Sequence, residues 1–457
     1  MSVWDDARWR VATLTCLSFL LGSTGWLSWL QQLTTLADPS VVDVLTMVVG
    51  YLMQAIGIGA FVLVERRRKL AQVRRSVVAS LVAYAICIAP ATLTHDLAAT
   101  LAFGYLANVL CGFAQGYYLF CLARFCDTSS RGIVFGSAYA ASTLLSWLLS
   151  AFAAGVLTHG AMGLAVCVAL ALGASAIARA PIPLASDEDS PFGNDPLAQT
   201  AADSGLALWG LAAGVVVLMS LTKNAGFGFP STDIVDGINL ELSRLLYGAG
   251  LIVAGVVSDK NRHYGALCCA GALVTPFLML ALSGAAAPAT LLWALNYLFF
   301  GFFSVFRVLL FADLSSASRT FALAGLGLLF GRVGDALGTG LYVVLAGHTL
   351  VLIVVAATVF AISLALLFVL DQKLYVPKVE PRLSEQEIFE RFAARHDLSA
   401  REREVLRLVL AERSNSEIAG ELFVSEATVK FHVRNLLKKT GCHNRREVMA
   451  LYAGASQ

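Results

Sequence analysis

Charge is scarce in this chain. Only 14% of its 457 residues are Asp, Glu, Lys or Arg, where soluble proteins carry about 25%; 58% are hydrophobic, and mean hydropathy is +0.72. So few charges over such a length exclude an ordinary soluble globule and point to a polytopic membrane protein. Cysteine is present but never in a CxxC pair: Cys16, Cys87, Cys111, Cys121, Cys126, Cys167, Cys268 and Cys269 stand in or beside apolar runs, and Cys442 in a polar tail. This spacing argues against a zinc site or a redox couple, and the thiols read as small packing residues. No nucleophile, metal or cofactor motif stands out, so neither an enzymatic activity nor a cofactor is expected.

Long apolar runs, in contrast, are abundant. A bilayer-spanning helix needs about 20 apolar residues. Runs of that kind lie near 11–30, 41–64, 76–94, 97–123, 133–157 and 160–180. The polar stretch PIPLASDEDSPFGNDPLAQTAADS interrupts them, and further runs follow near 205–225, 238–258, 265–284, 288–312, 321–346 and 349–370. The first run follows Arg8 and Arg10 but is too long for the apolar core of a signal peptide, so it reads as the first of twelve spans, six plus six.

Lys and Arg collect on one side of this topology. The heaviest cluster is ERRRKLAQVRR, Glu65 to Arg75, and Arg124, Arg131, Arg179, Lys260, Arg262 and Arg319 fall on the same side. Alternate loops are nearly free of basic residues, with Lys223 the main exception. The positive-inside rule then places both termini in the cytoplasm, in a multi-pass protein of the inner (cytoplasmic) membrane.

Between the eighth and ninth spans stands GVVSDKNRHYG, Gly255 to Gly265. With the six-plus-six count, it resembles the cytoplasmic signature of the major facilitator superfamily: glycine, aspartate, basic residues, glycine. A small residue there allows close helix approach, while Asp259 can pair with basic groups or a helix end. The equivalent loop of the first half, Val62 to Lys69, lacks both the glycine and the aspartate, which departs from that pattern and bears on transport rather than on fold.

Ionisable groups inside spans are costly and therefore mark candidate sites. Arg332 and Asp335 stand one turn apart in the eleventh span, and Glu241 and Arg244 repeat the spacing in the eighth. Opposite charges at that spacing can neutralise each other without a ligand. Arg307 in the tenth span has no acidic neighbour before Asp313. The family arrangement implies a central cavity whose walls include Gln115, Trp293 and Asn296. Together with Arg244, Arg307, Arg332 and Asp335, these suit a small aromatic or anionic molecule. Trp26 and Trp29, near a span end, read instead as interfacial anchors.

After Leu370 the composition changes abruptly. Pro377 and Pro381 mark a linker, and Ser384 with Glu387 has capping-box spacing ahead of a short amphipathic helix bearing Ile388 and Phe392. Ser399, Ser414 and Asn444 each stand three residues before a glutamate (Glu402, Glu417, Glu447), and Ser425 supplies a fourth cap with Thr428 in the acid's place. The four starts predict helices near 400–411, 415–422, 426–440 and 445–453. Only FVS joins the second and third, the tight connection of a helix-turn-helix. On a helical wheel Val429, Val433, Leu436, Leu437 and Thr440 face a core of Val405, Leu406, Val409, Ile418 and Leu422, while Lys430, Phe431, Arg434 and Lys438 face outward.

These caps, core positions and basic face, from Leu398 to Val448, closely resemble the LuxR/NarL-type DNA-binding domain. The resemblance implies that Lys430, Phe431 and Arg434 sit at base edges. Thr428, His432 and Lys438 would lie near the phosphates, Ser425 would belong to the same DNA-binding set, and Val448 and Leu451 would form a dimer contact on the last helix. The chemistry agrees, since Lys and Arg suit guanine acceptors and an aromatic ring can meet a thymine methyl. Glu412 departs from the family by replacing a glycine that ends the first helix, Ser416 stands where lysine is common, and Thr440 replaces a leucine. A helical module could alternatively bind protein rather than DNA.

The expected architecture is all-α: a twelve-helix membrane bundle followed by a small four-helix helix-turn-helix domain. Its parts are the first half (1–180), a cytoplasmic linker (181–204), the second half (205–370), a linker with a short helix (371–397) and the DNA-binding domain (398–457). The expected function is a one-component transcriptional regulator: a small effector binds among the spans and changes how the tail, as a homodimer, meets double-stranded promoter DNA. Nothing ahead of the tail carries the paired acids and phosphoacceptor Asp of a receiver domain, so phosphorelay control is not expected. The alternative is a secondary transporter with an appended regulatory domain. From Asp371 to Leu398 is 28 residues, at most about 100 Å fully extended, so DNA has to come to the membrane.

Overall fold

The computed structural model describes residues 7–152, 160–180, 196–225, 240–281, 286–345, 347–375 and 385–455. All regular structure among them is helical, and it forms two compact units, Met1–Pro377 and Lys378–Gln457.

The first unit begins with α1 (Ala7–Leu36). The short α2 (Pro39–Asp43) leads through a π-helical stretch, Val44–Gly50, into α3 (Tyr51–Arg67). Four more helices complete the first half: α4 (Leu70–Leu93), α5 (Leu97–Phe125), α6 (Arg131–Phe152) and α7 (Gly160–Arg179). The second half comprises α8 (Pro196–Ala225), α9 (Leu240–Lys260), α10 (Arg262–Ala281), α11 (Ala286–Ala317), α12 (Leu326–Leu345, after a 3-10 turn at Phe321–Gly325) and α13 (Thr349–Leu374). Over the described residues ten spans are long and apolar enough to cross a bilayer; α9 and α10, of 21 and 20 residues, complete the twelve.

Large apolar side chains such as Leu350, Val344, Ile86 and Leu172 are more than 60% exposed. Aliphatic surface of that extent is unfavourable in water and at home in lipid. Polar residues punctuate the helices: the Asp96 carboxylate, for example, accepts a hydrogen bond from the Ala99 amide at the start of α5, at 2.8 Å. The two halves meet through α6 with α9, α12 with α3 and α11 with α5. Where α6 crosses α9 the backbones touch, and a Cβ on Gly255 would lie 2.4 Å from the Gly132 carbonyl, so only glycine fits. α8 begins inside the stretch expected as a linker, because Pro196 at a first helical position and the alanines after it favour a helix. Gly205, with φ of +48°, breaks that helix before the span proper. Residues 181–195 lie outside the described residues.

The second unit contains α14 (Glu385–Arg395), α15 (Ala400–Leu410), α16 (Asn415–Glu421), α17 (Glu426–Thr440) and α18 (Arg445–Ala455). Each cap expected for α15 to α18 is made. Ser399 and Glu402 exchange hydrogen bonds at 3.4 and 2.8 Å, Ser414 and Glu417 at 3.3 and 2.7 Å, the Ser425 hydroxyl accepts from the Thr428 amide at 3.2 Å, and Asn444 accepts from the Glu447 amide at 3.0 Å. Glu412, in place of a glycine, adopts the left-handed conformation with φ of +58°, and the Arg413 amide then reaches back to the Leu408 carbonyl. Thr440, in place of a leucine, is buried with its hydroxyl donating to the Leu436 carbonyl at 2.9 Å. α14 buries Phe389, Phe392 and Ala393 against Leu406, Leu436 and Val448. Of the two residues expected on its inner face, Phe392 is buried while Ile388 is only half-buried beside the buried Phe389, and Ser384 lies outside the described residues.

Candidate functional site

In the tail, α16 and α17 are joined by residues 422–425, and α17 is held by burial of Val429, Val433 and Leu436 against Val405, Val409 and Ile418 from one side and Leu406 from the other. That packing turns Lys430, Phe431, Arg434 and Lys438 outward. The Phe431 ring is 50% exposed, a costly position for an aromatic unless a partner covers it. The Arg434 guanidinium lies 5.8 Å from its centroid, and Lys430 is only loosely paired, 3.8 Å from Glu426. Ser425 and Thr428 stand together at the N-terminus of α17, with His432 half-buried one turn further on. Exposed cations, a ring edge and a helix N-terminus on one surface have the chemistry of a major-groove reader.

Lys439 does not join this face, although it belongs to the same basic run. Its ammonium donates to Glu402 at 2.8 Å and to the Asp397 carbonyl at 2.7 Å, tying α17 to the start of α15. Burial alone raises the Glu402 carboxyl, but the Lys439 and Ser399 hydrogen bonds outweigh burial and hold it below its usual range. Val448, expected at a dimer contact, is fully buried in the protomer's own core with Phe389 and Phe392. It is therefore corrected to a packing residue, and Leu451, 40% exposed, is the one of the pair on the surface.

In the membrane unit the ionisable groups converge on Asp335. Lys223 Nζ lies 2.9 Å from its carboxylate, Arg307 Nη1 3.6 Å and Arg332 Nη1 3.9 Å, so the expected one-turn pair is the longest of the three contacts. Lys223 was expected in a loop; it is instead in the last turn of α8 with its side chain turned inward. Its place inside the apolar run 205–225 was the available signal. Glycines bring these helices close: a Cβ on Gly334 would lie 2.3 Å from the Val217 carbonyl of α8, and one on Gly331 would lie 2.7 Å from Arg307 Nη1. The Arg332 guanidinium stacks on Tyr51 of α3 at 4.4 Å, and Arg307 lies 5.3 Å from the Phe303 centroid.

Three cations thus surround one carboxylate that is 1% exposed. Arg307 Nε and Nη1 and Arg332 Nε are buried with no hydrogen-bond partner among the described residues. Buried guanidinium nitrogens without acceptors are unfavourable, and an added anion would satisfy them.

Gln115 and Asn296 are buried, but neither is among the groups touching Asp335. Gln115 Nε2 is 3.5 Å from Cys111 Sγ, and Asn296 lies three turns, about 16 Å, along α11 from Arg307. The side chains of Arg244, Glu241 and Trp293 lie outside the described residues. Trp29 is not an interfacial anchor: it is 1% exposed, and its indole donates to the Thr100 carbonyl at 3.0 Å inside the first half.

A second polar cluster closes the arginine-rich face. The Asp259 carboxylate accepts from the Gly132 and Ile133 amides at the start of α6, both at 2.7 Å, as expected of a carboxylate at a helix N-terminus. Arg262 bonds Asp259 at 3.0 Å and Asp313 at 2.7 Å, and the fully buried Arg131 reaches Asp313 from the other half at 2.8 Å. Next to Arg262, His263 Nδ1 lies 2.8 Å from Asp371 near the end of α13.

Comparison with known proteins separates along the same lines. Residues 396–452 match the family described as bacterial regulatory proteins, luxR family. The nitrate/nitrite response regulator protein homolog of Haemophilus influenzae is 47% identical over 55 residues, 12% of this chain and 26% of that protein. The spore germination protein GerE of Bacillus subtilis is 40% identical over 58 residues, 13% of this chain and 78% of that protein. The chain therefore spans about a quarter of the first relative and most of the second. The solved structures that resemble the chain are of another kind. The human organic anion transporter MFSD10 superposes with a TM-score of 0.54 at 16% identity, covering 80% of this chain and 99% of that one. The Escherichia coli fucose:proton symporter FucP gives 0.55 at 13% identity, covering 81% and 98%.

The fold and tail thus define a multi-pass membrane protein of major-facilitator architecture that carries a helix-turn-helix regulatory domain. By that domain the chain belongs to the luxR family of bacterial regulatory proteins.

Proposed function

We propose that this protein is a one-component transcriptional regulator of the cytoplasmic membrane, with both termini in the cytoplasm. A small anionic effector binds in the membrane domain, and the tail reads promoter DNA as a dimer. The observation that carries this reading is the convergence of Lys223, Arg307 and Arg332 on Asp335 in a chain whose other end presents Lys430, Phe431 and Arg434 outward. The anion supplies acceptors to the guanidinium nitrogens and bridges α11 and α12. An anion that also stacks on Tyr51 engages α3 of the first half, so that binding favours one arrangement of the halves over another. His263 and Asp371 connect the closed face to the helix that leads into the tail. On DNA, Lys430, Phe431 and Arg434 meet base edges, Ser425, Thr428, His432 and Lys438 meet phosphates, and Leu451 contributes to the dimer contact.

The test is a promoter reporter in cells with and without the protein, screened against small organic anions, beside flux of the active compound into vesicles containing the purified protein. A reporter response without flux supports the regulator. The transporter-like fold favours a second reading, a transporter with an appended regulatory tail, and that reading requires flux which is lost on Arg307→Ala or Arg332→Ala.

A further inference from the structure

Helix α4 turns one face away from the other helices of the membrane unit. Val82 and Ile86 on that face are 40% and 67% exposed, and a groove of about 710 Å³ runs along it beside α7. Its apolar length is made by Val78, Val82 and Ile86, one side chain per turn. Arg74 and Arg75 of α4 and Arg179 at the end of α7 close one end. None of the three makes a salt bridge among the described residues.

The dimensions are those of a single leaflet. Ile86 follows Arg74 by twelve positions, about 18 Å of helix, and half the hydrocarbon core of a bilayer is about 15 Å. Three guanidinium groups at the polar boundary call for a phosphate. An apolar trough one leaflet deep beneath them calls for an acyl chain. One molecule supplies both, and we infer that the groove binds an anionic phospholipid. Its phosphate is held by Arg74, Arg75 and Arg179, and its chain lies along Val78, Val82 and Ile86. The lipid ties α4 to α7, the helix that precedes the connection between the halves, and is a ligand separate from the effector at Asp335.

The experiment uses the full-length protein, purified in mild detergent and stripped of lipid, then offered phosphatidylglycerol or phosphatidylethanolamine. Bound lipid is counted by native mass spectrometry. The wild type is expected to retain one phosphatidylglycerol, at least fivefold in preference to phosphatidylethanolamine. Arg74→Gln with Arg75→Gln and Arg179→Gln abolishes that preference, while the same change at Arg66, Arg67 and Arg68 preserves it. Val82→Trp, on the exposed face, fills the trough without altering charge and lowers retention severalfold. Equal retention of the two lipids by the wild type, or undiminished phosphatidylglycerol on the Arg74, Arg75 and Arg179 variant, overturns the inference. Loss on the arginine variant with Val82→Trp unaffected leaves a headgroup contact with no acyl chain in the trough and also overturns it.

Discussion

Lys223 on α8 and Asp335 on α12 are in contact at 2.9 Å, and this pair sets the charge balance of the membrane domain. Without the carboxylate, Lys223, Arg307 and Arg332 would repel one another in a low-dielectric interior. Asp335→Asn is therefore expected to cost about 3–5 kcal/mol, read as a lower unfolding temperature of the purified protein in detergent. The same change removes the internal competitor for an added anion. Anions that stabilise the wild type should consequently raise the unfolding temperature of Asp335→Asn by more. An anion effect that disappears in Asp335→Asn would contradict the proposed site.

The exposed and tethered lysines of α17 make separable predictions. Lys430→Ala and Arg434→Ala should each cost about 1–3 kcal/mol against the specific promoter and relax sequence preference, and together they should abolish specific binding. Lys438→Ala, at a proposed phosphate contact, should weaken binding to all sequences alike and reduce the salt slope by about 1. Lys439→Ala should leave the salt slope unchanged and lower thermal stability, because its ammonium is bonded to Glu402 and Asp397. Gel-shift titrations at several salt concentrations check the binding predictions, and thermal denaturation checks the stability of Lys439→Ala.

Acid should loosen the DNA-binding unit through Glu402. Its carboxyl is held below the usual glutamate range, the Lys439 and Ser399 hydrogen bonds outweighing burial. A group with a depressed folded-state value stabilises above its unfolded value and loses that contribution as pH falls through the folded one. The unit should therefore be steady from neutral pH down to about 5 and weaken below about 4.5. Glu402→Gln should lower stability at pH 7 and flatten the acid limb, as measured by denaturant titration of the full-length protein followed in the tail. An acid limb as steep as the wild type's would remove Glu402 from this role.

The two residues expected at the dimer contact should now behave differently. Val448→Ala opens a cavity in the protomer core and is expected to cost about 2 kcal/mol of folding stability. Leu451→Asp leaves the fold intact and should impair cooperative occupation of paired half-sites more than binding to a single one. Analytical ultracentrifugation of the protein with each DNA separates these effects.

The tail was the most legible part of the chain. Capping residues act over three positions, so Ser399, Ser414, Ser425 and Asn444 announce their helices locally, and α15 to α18 begin where they indicate. The number of spans was legible for a similar reason, since bilayer thickness sets a minimum apolar length. Long-range partners were not. Lys223 is in contact with Asp335 only because glycines at 331 and 334 allow α12 to approach α11 and α8, and periodicity carries no record of which helices will be neighbours. Val448 failed as a surface residue because α14, read as part of a linker, supplies Phe389 and Phe392 to cover it. Trp29 failed as an anchor because its partner, the Thr100 carbonyl, is 71 residues away in sequence.

The cluster on the arginine-rich face should set the basal output. Asp259 holds the start of α6 through two amides, Arg262 joins Asp259 to Asp313, and Arg131 brings the first half to the same carboxylate. Breaking it favours an arrangement in which this face is open. Asp259→Asn should therefore shift reporter expression in the absence of effector toward the effector-bound level, whichever sign that has. Asp371→Asn acts one step later, since it frees the end of α13 from His263 while leaving Asp259, Arg262 and Asp313 in contact. It should reduce the difference between the two expression levels without moving the effector concentration at half response by more than about twofold, a coupling change of under roughly 0.5 kcal/mol. The Asp371→Asn dose–response curve carries the decision: an unchanged amplitude would mean that the signal leaves the membrane domain by a route other than His263 and Asp371.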